Sequence, residues 1–492
     1  MIEPTLTTTS LEYWPINARN IMTEKGIDPD QLKSVFKKIL FPWNKKYNTD
    51  RMYFSLRIQQ RPLFIVKPIS ISEIETILDY VTCKNLTVRI VNGRHSSALV
   101  QSEVLINMSS SSFLNKCLSN TLIAGAGNTQ GDLNEYLFNH NGFEHYSHFG
   151  SFVHPRVDTD AFPGGSAASV GIGGISCVGG IGTLCRTYSL TIDSVKSYTV
   201  TLCPNDTHYA QTVIASKHEN QDLFWALRGG MASNFGVVSQ IVYEIIEVPD
   251  IVQYSIVWPW GQATKILKKW QDTSITRPVN FNEDLILFHN PQTTHGIELS
   301  GIYVNIHNKS TRTIVSEIHE EVDMLGGILT IQPKTKYSNL YRNLVKNRIY
   351  YNYSIIQPMF VDRVSPKYIV KMLNESINLK SPVSITLTLL GGNICNKSAS
   401  DTAFYPRNKR FFIDPAAFWN DITETSIMEG WIKNIVSYLI DIKEVVAYVG
   451  FPITFNDIKF DNSIYYGKNY DRLLEIKNMY DPLNILTSCG TL

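Results

Sequence analysis

Apolar and polar positions follow two rhythms along this chain, and the change falls near Val252. Before it, short apolar runs alternate with amphipathic stretches. Pro62-Leu63-Phe64-Ile65-Val66-Lys67-Pro68 predicts a strand closed by proline. In the segment that follows, Ser70 precedes Glu73 and Glu75, and apolar residues recur at Ile74, Ile77, Leu78 and Val81. That spacing predicts a capped helix with one buried face. The run from Val88 to Gly93 returns to strand, so the unit reads β-α-β. Similar short elements continue through Leu122 to Gly127, a helix around Asp132 to Phe138, and a glycine-rich block from Gly164 to Gly182. Beyond Val252, long period-two runs such as EDLILFHN, GIELSGIYVNIHN and SPVSITLTLLGG predict an antiparallel sheet with helices between its strands. Near the end, NYDRLLEIKNMYDP predicts an amphipathic helix stopped at Asp481-Pro482, matching neither strand pattern and expected to return to the first half.

A chain of 492 residues exceeds one ordinary core, so two domains are expected. The divisions run as a lead-in over 1–40, a first domain over 41–250, a second over 251–459, and a closing segment over 460–492. With 43% hydrophobic and 18% charged residues the chain folds. Lys and Arg number 45 against 44 Asp and Glu, a net charge of +1 that argues against nucleic acid or an acidic membrane as partner and leaves a small molecule. The N-terminus lacks the basic start and apolar run of a signal peptide, and no segment is apolar for long enough to span a bilayer, so an intracellular protein is the expectation. Seven cysteines, odd in number and without CxxC pairs, read as reduced and mostly buried thiols. His145, His148 and His154 lack a carboxylate or cysteine at ligand spacing, so no metal is expected.

Two glycine-rich segments invite a ligand. Ala124 to Gly131 nearly fits the dinucleotide fingerprint, but its third glycine comes one residue late and it reads as a tight strand-to-helix turn. The run from Val170 to Gly182 is denser. So many glycines give up backbone entropy and packing, which fits close approach to a phosphate or flat ring, and equally fits a glycine-rich crossover between sheets.

Four blocks in fixed order resemble the berberine bridge enzyme-like FAD-linked oxidases, of the vanillyl-alcohol-oxidase superfamily. Arg89-Ile90-Val91-Asn92-Gly93-Arg94-His95 is similar to the family loop R-x-R-S-G-G-H, whose histidine bonds to the flavin. The run from Gly165 to Gly182 continues into Arg186-Thr187-Tyr188-Ser189-Leu190 and Asp193-Ser194-Val195. The third block is Asp222 to Gly230 with Asn234 to Val238, and the fourth is Tyr465 to Tyr470 with Arg472, Leu473 and Tyr480-Asp481-Pro482. The resemblance implies an α+β fold: a two-part FAD-binding domain of the PCMH type, completed by the C-terminal segment, plus a substrate domain whose antiparallel sheet is covered by helices. It further implies FAD contacts from Arg89, Asn92, Gly93, Arg94 and Ser96, and a covalent bond from His95. The same role is implied for Gly165, Val170, Gly171, Gly173, Gly174, Gly179, Gly180 and Gly182. Gly236, Val237 and Val238 would meet the adenosine end, and Asn469 the ring edge.

Departures from the family matter as much. Ala167 stands where many members carry a cysteine that forms a second flavin bond, leaving a single link. Phe451 stands where the family often places a tyrosine base, and phenylalanine cannot accept a proton. Asp414, polar in an apolar run, is the first candidate base, with Tyr448 and Tyr466 as fallbacks; the alternative for Asp414 is a turn residue before Pro415. The function implied is oxidation of an alcohol, sugar or related small molecule by FAD, with O₂ taking the electrons to give H₂O₂. Val170, at the position that gates oxygen in the family, favours an oxidase over a dehydrogenase, while Phe451 at the base position leaves a flavin-containing binding protein with little turnover as the alternative.

Overall fold

A computed structural model describes residues 14–96, 101–117, 120–139, 144–147, 150–153, 159–165, 167–205, 208–292, 294–322, 325–346, 349–487 and 491–492. The histidine cluster falls largely outside this set: His148 and His154 are not among the described residues, nor is the side chain of His145.

The first half builds two sheets. Strands β1 (Ile39–Leu40), β2 (Phe64–Val66), β3 (Val88–Val91) and β4 (Val104–Asn107) lie in the order β1-β2-β4-β3, with β4 parallel to both β2 and β3. Helix α1 (Ile71–Cys83) makes the crossover from β2 to β3. Ser70 accepts a hydrogen bond from the Glu73 amide at 3.2 Å while the Glu73 carboxylate accepts from the Ile69 amide at 3.0 Å, so reciprocal capping starts the helix where the sequence places it. Its buried face is Ile74, Ile77, Leu78 and Val81. The second sheet is antiparallel. It holds β5 (Leu114–Cys117), β6 (Thr121–Gly125), β7 (Val195–Leu202), β8 (Gln211–Ser216) and β9 (Val237–Glu244), in the order β8-β7-β9-β6-β5. Helix α2 (Gln130–Asn139) follows β6.

From Ile251 the chain forms a large antiparallel sheet. Its strands are β10 (Ile251–Trp258), β11 (Phe281–Asn290), β12 (Thr294–Val304), β13 (Ile328–Ile331), β14 (Tyr353–Ile356), β15 (Met359–Val361), β16 (Val383–Leu389), β17 (Phe411–Trp419) and β18 (Val446–Ala447). The path runs β13-β10-β12-β11-β16-β17-β15-β18, with β14 also on β17. Strand alternation gives this sheet two different faces. Leu285, Leu287, Ile385, Leu387 and Ile413 are buried under α3 (Ala263–Thr273), α4 (Pro366–Asn374) and α5 (Thr425–Ile440), in one core with Ile266, Leu267, Ile369, Ile432 and Ile435. The alternate positions, among them Asp284, Thr386, Thr388, Phe412 and Asp414, turn the other way, toward the first half.

The last helix, α6 (Tyr470–Tyr480), returns to the first half. Leu473 and Ile476 share a core with Leu133, Ile172, Trp225 and Phe235. Beyond the helix, the Val88 amide donates to the Ile485 carbonyl at 2.9 Å and the Thr487 amide to the Val88 carbonyl at 2.8 Å, so the tail runs beside β3. Asp481 ends α6 and fixes the turn, its buried carboxylate taking Lys477 and the amides of Ile485 and Leu486. Among the described residues no helix is long and apolar enough to cross a membrane. Cys177, Cys185 and Cys203 are buried free thiols, whereas Cys83 and Cys395 are exposed.

Candidate active site

A cavity of about 540 Å³ lies between the glycine-rich loops and the open face of the large sheet. That size and its two-domain setting suit a small-molecule or cofactor site.

One wall comes from loops that meet backbone to backbone. The Asn92 side chain donates to the carbonyls of Ala126 at 2.7 Å and Asn128 at 2.8 Å, fastening the loop after β3 to the turn after β6. A Cβ on Gly93 would run into the Gly171 amide and sit 2.7 Å from the Ser169 carbonyl oxygen, which is why no larger residue fits. Arg94 has φ 56°, the left-handed region that costs a residue with a Cβ, and its guanidinium secures the turn by donating to the carbonyls of Thr49 (3.2 Å) and Asp50 (2.8 Å). Where the family loop has glycine, this chain holds the same bend with two side-chain hydrogen bonds. His95 follows, its ring stacked on Phe54 at 4.3 Å and its Nε2 2.9 Å from the Ser169 hydroxyl. Ser169 thus orients the histidine, a role no motif announced.

The facing wall is β11, β16 and β17. Register pairs Asp284 with Thr388, Thr388 with Phe412, and Thr386 with Asp414, so all five side chains share the cavity face. Strand β17 continues through Pro415 to Trp419, so Asp414 is a mid-strand residue and not a turn residue. Its Oδ1 is sealed from solvent with no hydrogen-bond partner among the described residues. Burial, followed by the nearby Asp284 charge, pushes the Asp414 carboxyl up to about 7. Asp284 rises to about 6, again chiefly through burial, although the Thr388 hydroxyl donating at 2.6 Å works against the rise. Tyr448 also lines the cavity, and burial raises its phenol. Phe451 sits beside it with ring centroids 6.3 Å apart, and offers no proton acceptor.

Of the residues named from sequence, the cavity brings together Arg89, Asn92, Gly93, Arg94, His95, Ser96, Gly165, Val170, Gly171, Gly173, Gly174, Gly182, Gly236, Val238, Asp414 and Tyr448. Five others are not among the residues that line it. Gly179 has φ 127° and a Cβ there would strike the Phe404 ring; Gly180 has φ 78° and abuts Thr191. Both serve the turn and its packing. Val237 points to the opposite side of β9 from Gly236 and Val238, into the core under the first sheet. Asn469 donates to the carbonyls of Ala399 (2.7 Å), Thr402 (3.2 Å) and Ala403 (3.3 Å), and so pins that loop. Tyr466 is buried with its hydroxyl 2.9 Å from Thr491, out of reach as a base. Sequence reading also missed Asp284 and Gln130, whose Oε1 is buried in the cavity wall without a partner among the described residues.

The C-terminal stretch 447–488 matches the family model described as berberine and berberine like. An FAD-linked oxidoreductase of Penicillium rubens, sorD, is 25% identical over 473 residues, covering 91% of this chain and 93% of that protein. A second FAD-linked oxidoreductase, YgaK of Bacillus subtilis strain 168, is 26% identical over 335 residues, 66% of this chain and 70% of its own length. Among solved structures, a chitooligosaccharide oxidase superposes with a TM-score of 0.76 at 18% identity, covering 96% of this chain and 98% of its own. The chain thus carries a berberine-like C-terminal stretch and is similar over most of its length to FAD-linked oxidoreductases. The similarity to FAD-linked oxidoreductases points to FAD, and the cavity suits it. A Cβ on Gly174 would meet nothing within 4 Å, so backbone faces open space there, and the orphaned Gln130 Oε1 supplies an acceptor for a polar ligand.

Proposed function

We propose that the chain is an FAD-dependent oxidase of alcohols, sugars or related small molecules, with the flavin attached through His95 alone. The observation that carries this reading is one cavity holding, on opposite walls, the His95 and glycine loops and the carboxylate of Asp414, whose Oδ1 has no partner among the described residues. When bound, FAD supplies the acceptor for the donor's hydride and passes the electrons to O₂, giving H₂O₂. The chain's residues do the rest. Asn92, Gly93, Gly171 and Gly174 would let backbone lie against the cofactor, and Ser169 holds the His95 ring in place. Asp414 would take the donor's hydroxyl proton on Oδ1, in a site dry enough to keep that carboxyl basic. The rings of Phe412, Tyr448 and Phe451 pack on one another in the same cavity and give it an apolar lining. Val170 lines the same cavity, at the position expected to admit oxygen.

The attachment is tested by precipitating the yellow protein with acid. Wild type is expected to carry its flavin into the pellet, and digestion to yield one flavin-bearing peptide, containing His95, because Ala167 offers no thiol. His95→Ala should leave the flavin in the supernatant. Flavin on a second peptide, or full release from wild type, refutes single attachment. The reaction is tested by screening alcohols and sugars aerobically for peroxide and anaerobically for bleaching of the flavin. Bleaching without peroxide would point to another electron acceptor.

A further inference from the structure

Asp284 carries a consequence beyond the base itself. It lies on β11, Asp414 on β17, and both strands pair with β16 between them. Thr388 and Thr386, two residues apart on β16, are the respective register partners of the two aspartates, so both carboxylates and both hydroxyls face the same cavity. We propose that Asp284 acts through Asp414: its carboxylate, held by the Thr388 hydroxyl across the β11–β16 pairing, tunes how strongly Asp414 holds a proton, and so makes it the stronger base. This rests on Asp414 being the base of the proposed reaction.

The surroundings isolate the pair. Among the described residues neither aspartate makes an ion pair, and of the arginines on or near the cavity Arg57, Arg94 and Arg186 have other partners. Arg57, which lines the cavity, is paired with Glu429 at 3.1 Å. Arg186 spends its guanidinium on the carbonyls of Phe281, Leu390 and Arg277. Glu283, the neighbour of Asp284 in the strand, faces the opposite way and holds Arg277, Tyr254 and Trp270, though its charge adds to the rise of Asp284. Cys185 stands near Asp284 as a buried thiol, while Tyr448 and His95 line the cavity with Asp414. With no cation paired to either among the described residues, two carboxylates in one dry space repel, and the one that loses its proton first makes the other more basic. The directions agree: Asp284 sits near 6, Asp414 near 7, and the Asp284 charge contributes to the rise of Asp414.

The same coupling governs stability. A carboxyl that holds its proton more tightly folded than unfolded adds stability in full below its unfolded value, and loses it as pH rises through its folded value. For this pair the loss spans roughly pH 4 to 7.

The experiment compares wild-type holoenzyme with Asp284→Asn, Asp284→Glu and Asp414→Asn. One readout is thermal unfolding against pH, which needs no donor. The other is anaerobic flavin reduction against pH with the fastest alcohol or sugar from the screen. Asp284→Asn should fall less in unfolding midpoint between about pH 4 and 7 and exceed wild type at pH 8. Its acid limb of reduction should move to lower pH, by less than the whole rise of Asp414, because burial is the larger cause. Asp284→Glu keeps the charge and should restore most of the wild-type limb. If Asp284→Asn merely lowers the rate, with limb and stability profile unchanged, the aspartate has only a structural role and the inference falls. If Asp414→Asn leaves reduction intact while the stability coupling persists, the base assignment fails instead. Should no donor be found, the pair is coupled if the stability profiles of Asp284→Asn, Asp414→Asn and the double variant are non-additive, and additive profiles overturn the inference.

Discussion

Asp414→Asn is expected to slow anaerobic flavin reduction by about 10² to 10⁴ while leaving FAD bound, the range a positioned general base contributes. The substitution keeps the side chain's shape and removes only its ability to accept a proton. Two features make the loss large. Asp414 Oδ1 has no protein partner among the described residues to redistribute its charge. Phe451, where a family tyrosine would stand, cannot take over, and Tyr448, held by burial well above the ordinary phenol range, is a poor substitute near neutral pH. Wild-type reduction should rise with pH through about 7 as the carboxyl loses its proton, and the variant should lack that limb. Stopped-flow bleaching across pH measures both. A variant that reduces flavin at the wild-type rate would remove Asp414 from the chemistry.

The second large effect is expected from Gly93→Ala. The added methyl has no direction in which to rotate away, because what it meets is backbone: the Gly171 amide, the Ser169 carbonyl oxygen at 2.7 Å and the Val170 carbonyl carbon at 3.0 Å. The two loops must part. Overpacking of this kind costs about 1 to 3 kcal/mol, and about 1.4 kcal/mol is already a factor of ten in an equilibrium. The unfolding midpoint should therefore fall and flavin content with it, read as the ratio of flavin to protein absorbance after purification. Gly261→Ala is the control, since a Cβ there meets nothing within 4 Å. Full flavin content in Gly93→Ala would mean that the loops do not need their close approach.

Much of this architecture is legible in the chain because local rules suffice for it. Period-two alternation assigns each residue of β11, β16 and β17 to one face, and the polar residues among Leu285, Ile385 and Ile413 are therefore the ones turned away from the helices. Ser70 and Glu73 start α1, and Asp481 stops α6, through contacts a few residues long. The loop from Asn92 to His95 is recognisable because glycine and a short amide are required where backbones cross.

Tertiary structure decided what depends on which segments become neighbours. Glycines of one run look alike in sequence, yet Gly171 and Gly174 face the cavity while Gly179 and Gly180 are used against Phe404 and Thr191. Asn469 and Tyr466 belong to a recognisable motif, but the fold sends them to the 399–403 loop and to Thr491. Asp284 had no local signal at all, for it reads as one polar position in an alternating strand. Only the order β11-β16-β17 sets it in the same water-poor space as Asp414. Alternation along a strand fixes the face of each side chain, but strand order, and with it the charges that share a low dielectric, is settled by long-range packing that no short window of sequence contains.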